Sequence, residues 1–317
     1  MDGQFDTVEF AKKLLAFSPR LGINERKTAE FIVSILKTHG VETAIQAFGT
    51  QIPQVKRVRL EADGKILDGK ACCFVSGTIE GKHSLISSLI PSRFFLDRPN
   101  INFNPECPAA SLSNFYFAPA VAVSCATLTQ ILKAKKVATE VIIEPYRFES
   151  WNILVGDKDT PKKIFFAHYD SIESGCVDNA SGVAVMMRAI VMRPRIMQEN
   201  LLVFAGSEEL SYDRPTYWGR GFRAFEEQNK NTMDKAEKLV AIDCVGNGKP
   251  VMDNGDNIRY LAFPVKRADR WKEKIFVMHA DLAKENKVYH SVLDDIGQLN
   301  EKHLLAADAL LAKEFTI

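Results

Sequence analysis

Apolar positions recur at helical spacing at the start of the chain and in short unbroken runs farther on. Residues 6–17 put Val8, Phe10, Ala11, Leu14 and Leu15 on one face, which predicts a helix. A second helix is predicted over 25–38, with Ala29, Ile32, Val33 and Leu36 apolar and Gly40 as its stop. The texture changes between 50 and 147. Runs at 55–60 and 71–79 predict strands, and Gly64, Gly69, Gly77 and Gly81 punctuate them. Residues 91–119 hold five prolines and predict irregular loop. Strand, helix and strand are then predicted at 120–123, 126–134 and 137–143, as one compact βαβ-like piece. Beyond Trp151 the pattern alternates strictly. Strands are predicted at 163–167, 201–205 and 239–242, and helices at 181–192, 219–227, 266–287 and 300–313.

Four- or five-residue apolar strands alternating with helices indicate a sheet covered on both faces. The expected organisation is one α/β unit made of 1–49 plus 148–317, with 50–147 inserted as a small α+β domain. In open α/β sheets ligands bind outside the carboxyl ends of the strands. That edge is where chemistry should be sought.

Composition narrows the classes. Apolar residues make up 46% and charged residues 26% of 317, an ordinary globular balance that excludes a disordered, fibrous or coiled-coil chain. Lysine plus arginine total 41 against 40 acidic residues, so no basic footprint exists and no nucleic-acid partner is expected. The most apolar stretch, 115–132, is broken by Pro119, Ser124, Thr127, Thr129 and Gln130, so no membrane span is expected. The acidic start lacks a secretory signal pattern. Six cysteines form no CxxC pair, which predicts a reduced, cytoplasmic protein without a zinc knuckle or disulfide framework.

The predicted strand ends carry metal-ligand side chains. The first runs into His168-Tyr169-Asp170, the second into Ser207-Glu208-Glu209, and the third into Asp243. Between the first two lies Gly175-Cys176-Val177-Asp178-Asn179-Ala180-Ser181-Gly182, which opens a helix, and Tyr289-His290-Ser291-Val292-Leu293-Asp294 follows far downstream. Taken singly, each has an ordinary reading: a capped loop, a solvated glutamate pair, an N-cap aspartate, a turn aspartate, a helix-entry pair. Three strands each deliver such a residue at the ligand-binding edge, and the ordinary readings would have to hold together at all five places. Cys244 is expected to face the core, since neighbours in an extended segment point to opposite sides. His39, His83, His279 and His303 are expected to be surface or packing residues, the last two within helices.

The combination resembles peptidase family M28, the zinc aminopeptidase-type exopeptidases. Its signatures are matched in order by the H-x-D at His168–Asp170, the D-N-x-S-G at Asp178–Gly182, the E-E pair Glu208-Glu209, the strand-end Asp243 and the Y-H-x-x-x-D at Tyr289–Asp294. The resemblance implies a three-layer α/β sandwich with a central mixed sheet, zinc-exopeptidase-like, and a protease-associated-like domain at 50–147. It implies two divalent metal ions, zinc with cobalt or manganese tolerated, bridged by Asp178. His168 and Asp243 would complete one ion, and Glu209 and His290 the other. Glu208 would be the general base, and Asp170 would hold the far nitrogen of His168. The implied reaction is hydrolysis of N-terminal residues from peptide substrates, compatible with a homo-oligomer. The alternatives are a glutaminyl-cyclase-like single-zinc acyltransferase, which the intact D-N-x-S-G opposes, and a catalytically silent binding protein, which the full ligand set opposes. After the glutamate pair the chain departs from the familial glycine-rich continuation. Residues 210–221 are longer and aromatic, so Tyr212, Tyr217 and Trp218 are expected either at the pocket rim or in simple packing.

Overall fold

The computed structural model describes residues 5–315. Residues 1–4, part of the acidic start, and 316–317 lie outside the described residues. The main sheet runs in the order Val251–Asp253, Ile275–His279, Lys238–Ile242, Lys163–His168, Asn200–Ala205, Val137–Gly156, Ala44–Ala62, Lys65–Leu67. The four strands from Ile275–His279 to Asn200–Ala205 are parallel, and their neighbours on both sides pair antiparallel, so the sheet is mixed.

Alternation along the central strands builds two cores. Phe165 and Ala167 join Val240, Ile242, Leu202 and Phe204 on one face, under the helices Thr7–Leu15, Ile23–Thr38, Gly182–Met192 and Glu301–Phe315. Ile164 and Phe166 join Leu201, Val203, Leu239 and Ala241 on the other, against Arg220–Lys235 and Asp256–Ala262. This is the three-layer sandwich expected from the alternating pattern. Phe166 packs edge-on or tilted against Phe222, Phe225 and Phe263 at 5.7, 5.1 and 4.8 Å between ring centres.

Residues 50–147 are not joined to this frame by linkers. Ala44–Ala62 and Val137–Gly156 pair along nearly their whole length, and positions 50 and 147 fall inside them. The two strands carry the sheet out of the main body and support a four-stranded sheet with its own core around Ile101, Tyr116, Val121 and Val123.

Several expectations are corrected. The stretch 266–287 is not one helix: it holds a turn at Ala268–Trp271, the strand Ile275–His279 and the short helix Leu282–Glu285. Ile275, Val277 and Met278 are fully buried, and tertiary pairing with Lys238–Ile242 overrides a helix-like distribution of flanking charges. His279 therefore ends a buried strand and is not helical. The piece 120–143 is not a βαβ unit, because Ala120–Val123 pairs with Asn100–Phe103 in the small sheet while Val137–Gly156 belongs to the large one. Asn100–Phe103 is itself a strand within the loop-like region. Its asparagines disguise it, and Asn102 Nδ2 donates to Ile86 O at 3.1 Å and Tyr116 Oη at 2.7 Å. The strand expected at 71–79 splits into Lys70–Ala71 and Gly77–Glu80.

Among the described residues no helix is long and apolar enough to cross a membrane, and all six cysteines are free. Phe166→Ala should leave a cavity between the two layers. It is expected to lower unfolding free energy by about 3–5 kcal/mol, read from the urea midpoint at unchanged slope.

Candidate metal centre

The three strands that end in ligand-type residues end level with one another. Ala205 is in register with His168, and Ala241 with Phe166 one strand over. His168, Glu208-Glu209 and Asp243 therefore leave the sheet at one edge. Asp178 arrives from the turn ahead of Gly182–Met192, and His290 from the segment after Leu282–Glu285.

The donor atoms form two groups around Asp178. His168 Nε2 lies 3.1 Å from Asp178 Oδ1 and 3.4 Å from Asp243 Oδ1. His290 Nε2 lies 3.2 Å from Asp178 Oδ2 and 2.8 Å from Glu209 Oε2. Each oxygen of Asp178 thus faces a different imidazole. Donors sharing a tetrahedral ion at ~2.0–2.1 Å stand about 3.3 Å apart, so both groups have the spacing of a shared cation. Despite its close approach to Glu209, His290 Nε2 makes no directed hydrogen bond, and neither does the buried Oε1 of Glu208 or of Glu209. Buried polar atoms left without partners beside these donor pairs fit a centre meant for cations.

Protonation preferences carry the same message. Burial alone would lower the His168 pKa, but Asp170, Asp178 and Asp243 outweigh it and raise it well above the usual value. His290 behaves alike, lowered by burial and raised further by Glu209 and Asp178. Burial would raise Asp178, yet the two imidazoles hold it well below the normal carboxylate range. Burial pushes Glu209 up to about 7 against the pull of His290, and it raises Glu208 well above its usual value, aided by Glu209, Asp170 and Asp243. So many anions in low dielectric take up protons wherever cations are not supplied.

Outer contacts fix the donors. Asp170 Oδ1 sits 3.4 Å from His168 Nδ1, and its Oδ2 accepts from Glu209 N at 2.9 Å. One carboxylate therefore faces one donor ring and holds the backbone of the other strand's turn. His290 Nδ1 lies 3.1 Å from Leu112 O, a pure acceptor, so the proton belongs on Nδ1 and Nε2 is left as the lone-pair donor. Leu112 N returns a bond to His290 O at 2.9 Å. Asp294 accepts from Val177 N at 2.8 Å and Asp178 N at 3.1 Å. Asn179 Nδ2 donates to Ile242 O at 2.7 Å, stitching the Asp178 turn to the strand before Asp243.

All seven residues expected at the site, His168, Asp170, Asp178, Glu208, Glu209, Asp243 and His290, meet there. Sequence reasoning missed their supports. Leu112 acts through a backbone carbonyl, which no side-chain motif announces. Arg20 is fully buried and donates to Tyr169 O at 2.7 Å, Ser174 O at 3.1 Å and Gly175 O at 2.8 Å, clamping the link between His168 and Asp178. Glu25, also buried, accepts from Ser150 Oγ and Ser207 Oγ beneath the glutamate turn. Cys244 is corrected. Its φ of +53° turns the chain, so Sγ reaches 3.4 Å from Asp243 Oδ1 instead of entering the core.

A cleft of about 570 Å³ opens over Asp178, Glu208, Glu209, Asp243 and His290. Trp218, Tyr260 and Leu261 give it an apolar wall, and Arg93 of the insert reaches its lining. Of the aromatic segment, Tyr217 and Trp218 line this cleft, while Tyr212 bonds Phe74 O at 2.9 Å away from it.

The model of peptidase family M28 matches residues 153–262, a span that includes every expected site residue except His290. No curated protein matches the sequence. Among solved structures, the zinc aminopeptidase BSAP from Bacillus subtilis superposes with a TM-score of 0.69 at 16% identity, covering 99% of this chain and 96% of that one. The aminopeptidase from Aneurinibacillus sp. strain AM-1 gives 0.59 at 16% identity over 96% and 92%. The glutaminyl cyclase of Porphyromonas gingivalis gives 0.52 at 13% identity over 99% and 97%. These likenesses establish a zinc-exopeptidase-like fold.

Arg20→Met removes the clamp and takes the guanidinium donor from Tyr169 O, Ser174 O and Gly175 O. Unfolding free energy should fall by about 3–5 kcal/mol, measured by urea denaturation.

Proposed function

We propose that this chain, whose residues 153–262 match the model of peptidase family M28, is a metal-dependent aminopeptidase. It would remove N-terminal residues from peptides, with Glu208 as general base at a centre for two divalent ions. The observation that carries the reading is the division of Asp178: Oδ1 faces His168, and Oδ2 faces His290. A single ion would need only one of those faces. His168, Asp178 and Asp243 would hold one ion, and Asp178, Glu209 and His290 the other. Zinc suits this mixed nitrogen and oxygen set. When bound, such ions supply Lewis acidity, which activates water and polarises a peptide carbonyl.

The protein's own groups do the rest. Glu208 is adjacent to Glu209 but makes none of the Glu209 contact to His290, so its carboxylate is free to act as a base. It would take the proton of the attacking water and deliver it to the leaving amine. Its burial among anions raises its proton affinity, which suits a group that must hold a proton between two transfers. Asp170 and Leu112 O keep the two imidazoles in the tautomer that offers Nε2. In the cleft, Trp218, Tyr260 and Leu261 offer an apolar surface to a substrate side chain. A reducing setting, the cytoplasm, accords with six unpaired cysteines.

Glu208→Gln should lower turnover by about 10²–10⁴ while metal content stays at the wild-type level. Release of free amino acids from a defined peptide mixture, run beside metal analysis, reads both. Loss of metal together with activity would make Glu208 a ligand and overturn its role as base. In the wild-type protein a chelator should stop release, and added zinc should restore it with two ions per chain. Restoration at one ion per chain would overturn the two-ion centre, and one bound ion with no release of amino acids would favour the single-zinc acyltransferase reading.

A further inference from the structure

Cys244 borders the centre but has no place in the ligand set above. The strand Lys238–Ile242 stops just before Asp243, and a continued extended chain would send the next side chain to the opposite face. Cys244 instead adopts φ +53°, a region that non-glycine residues seldom occupy. That turn brings the thiol to the same side as the Asp243 carboxylate, with Sγ 3.4 Å from Oδ1. Ligand atoms of Asp178, Asp243 and Cys244 all lie within 4.8 Å of one another. The side chain is buried yet lines the cleft, so it belongs to the site and not to the core.

The spacing has a chemical meaning. A zinc thiolate sulfur lies ~2.3 Å from the ion and a carboxylate oxygen ~2.0–2.2 Å, so in a tetrahedron the two donors stand about 3.5 Å apart. Sulfur is also the donor that most strongly favours zinc over magnesium, calcium or manganese.

We propose that Cys244 is a fourth protein ligand of the ion held by His168, Asp178 and Asp243. The inference rests on the two-ion reading of the preceding section. A sulfur–metal bond forms as the S–H bond breaks, and the proton leaves to solvent. The consequence is a division of labour. Four protein donors close the first position, as in structural zinc sites, whereas Asp178, Glu209 and His290 supply three donors and leave the second position open. One ion would secure the bridging carboxylate, and the other would keep the place for water and substrate.

Cobalt(II) loading of metal-free protein tests this without recourse to activity. Two bound cobalt ions per chain should produce a thiolate-to-cobalt charge-transfer band in the near ultraviolet, and C244S should lose it. C244S should also release one of its two ions to a chelator more readily. The change should reach at least the roughly 10–100-fold that follows from losing an outer-shell partner alone. Two bound ions without the band in the wild-type protein would overturn the sulfur ligand and leave the aminopeptidase reading standing. Persistence of the band in C244S, or in C244A should the serine variant not fold, would assign it to another thiol and overturn the proposal. A protein that takes up no cobalt would overturn the two-ion reading and the proposal together.

Discussion

Like charge packed into low dielectric is the condition around which this structure is built. Glu25, Asp170, Asp178, Glu208, Glu209, Glu285 and Asp294 are all buried, and Asp243 is half-buried beside them. Against these stand the guanidinium of Arg20 and the imidazoles of His168 and His290. An uncompensated buried carboxylate is costly, and it escapes by taking a proton or a cation. Each neighbouring feature answers that cost: the Arg20 clamp under the loop, the backbone amides that Asp294 and Asp170 draw in, and the two imidazoles at Asp178.

The same condition explains why the centre could be read from the sequence while its supports could not. A side chain that touches a cation must be one of a few types, and its spacing is tied to a strand end. His168, Asp243 and the glutamate pair therefore announce themselves. What holds them does not. Leu112 contributes a carbonyl that any residue would carry, from a position 178 residues away. Arginines are mostly exposed, yet Arg20 is fully buried. The hydrophobic pattern failed for a related reason at 266–287. A five-residue strand buried on both faces has no alternation of its own, and only its neighbours in the sheet reveal it. Cys244 went astray because the rule of alternating faces holds only while the strand continues.

Residues 50–147 also look different once the contacts are traced. The pairing of Ala44–Ala62 with Val137–Gly156 makes the insert a continuation of the main sheet and not an appended module. Its loop reaches back to the centre, where Leu112 bonds both the ring and the backbone of His290 and Ser111 Oγ donates to Tyr289 O at 2.6 Å. His290 has no strand of its own to position it. The segment 107–115 supplies the rigidity that a strand end gives His168 and Asp243. A wall of the cleft and the orienting partner of one donor are thus the same stretch of chain.

Backbone strain marks where this arrangement is hardest to hold. Four non-glycine residues among those described have positive φ, and only Asp63 lies in an ordinary hairpin turn. The others are Ser207, Cys244 and His290, each at or within two residues of a donor. Such conformations cost of order 1–3 kcal/mol apiece and persist only where the surroundings over-determine them. Here the surroundings are visible. Glu25 accepts from the Ser207 hydroxyl, Asp243 N is bonded to Met278 O at 2.9 Å, and Leu112 brackets His290. A relaxed extended chain at any of the three would send a neighbouring side chain to the wrong face of the sheet edge. The strain is therefore the means by which strand ends, which naturally alternate their side chains, present consecutive residues to one point.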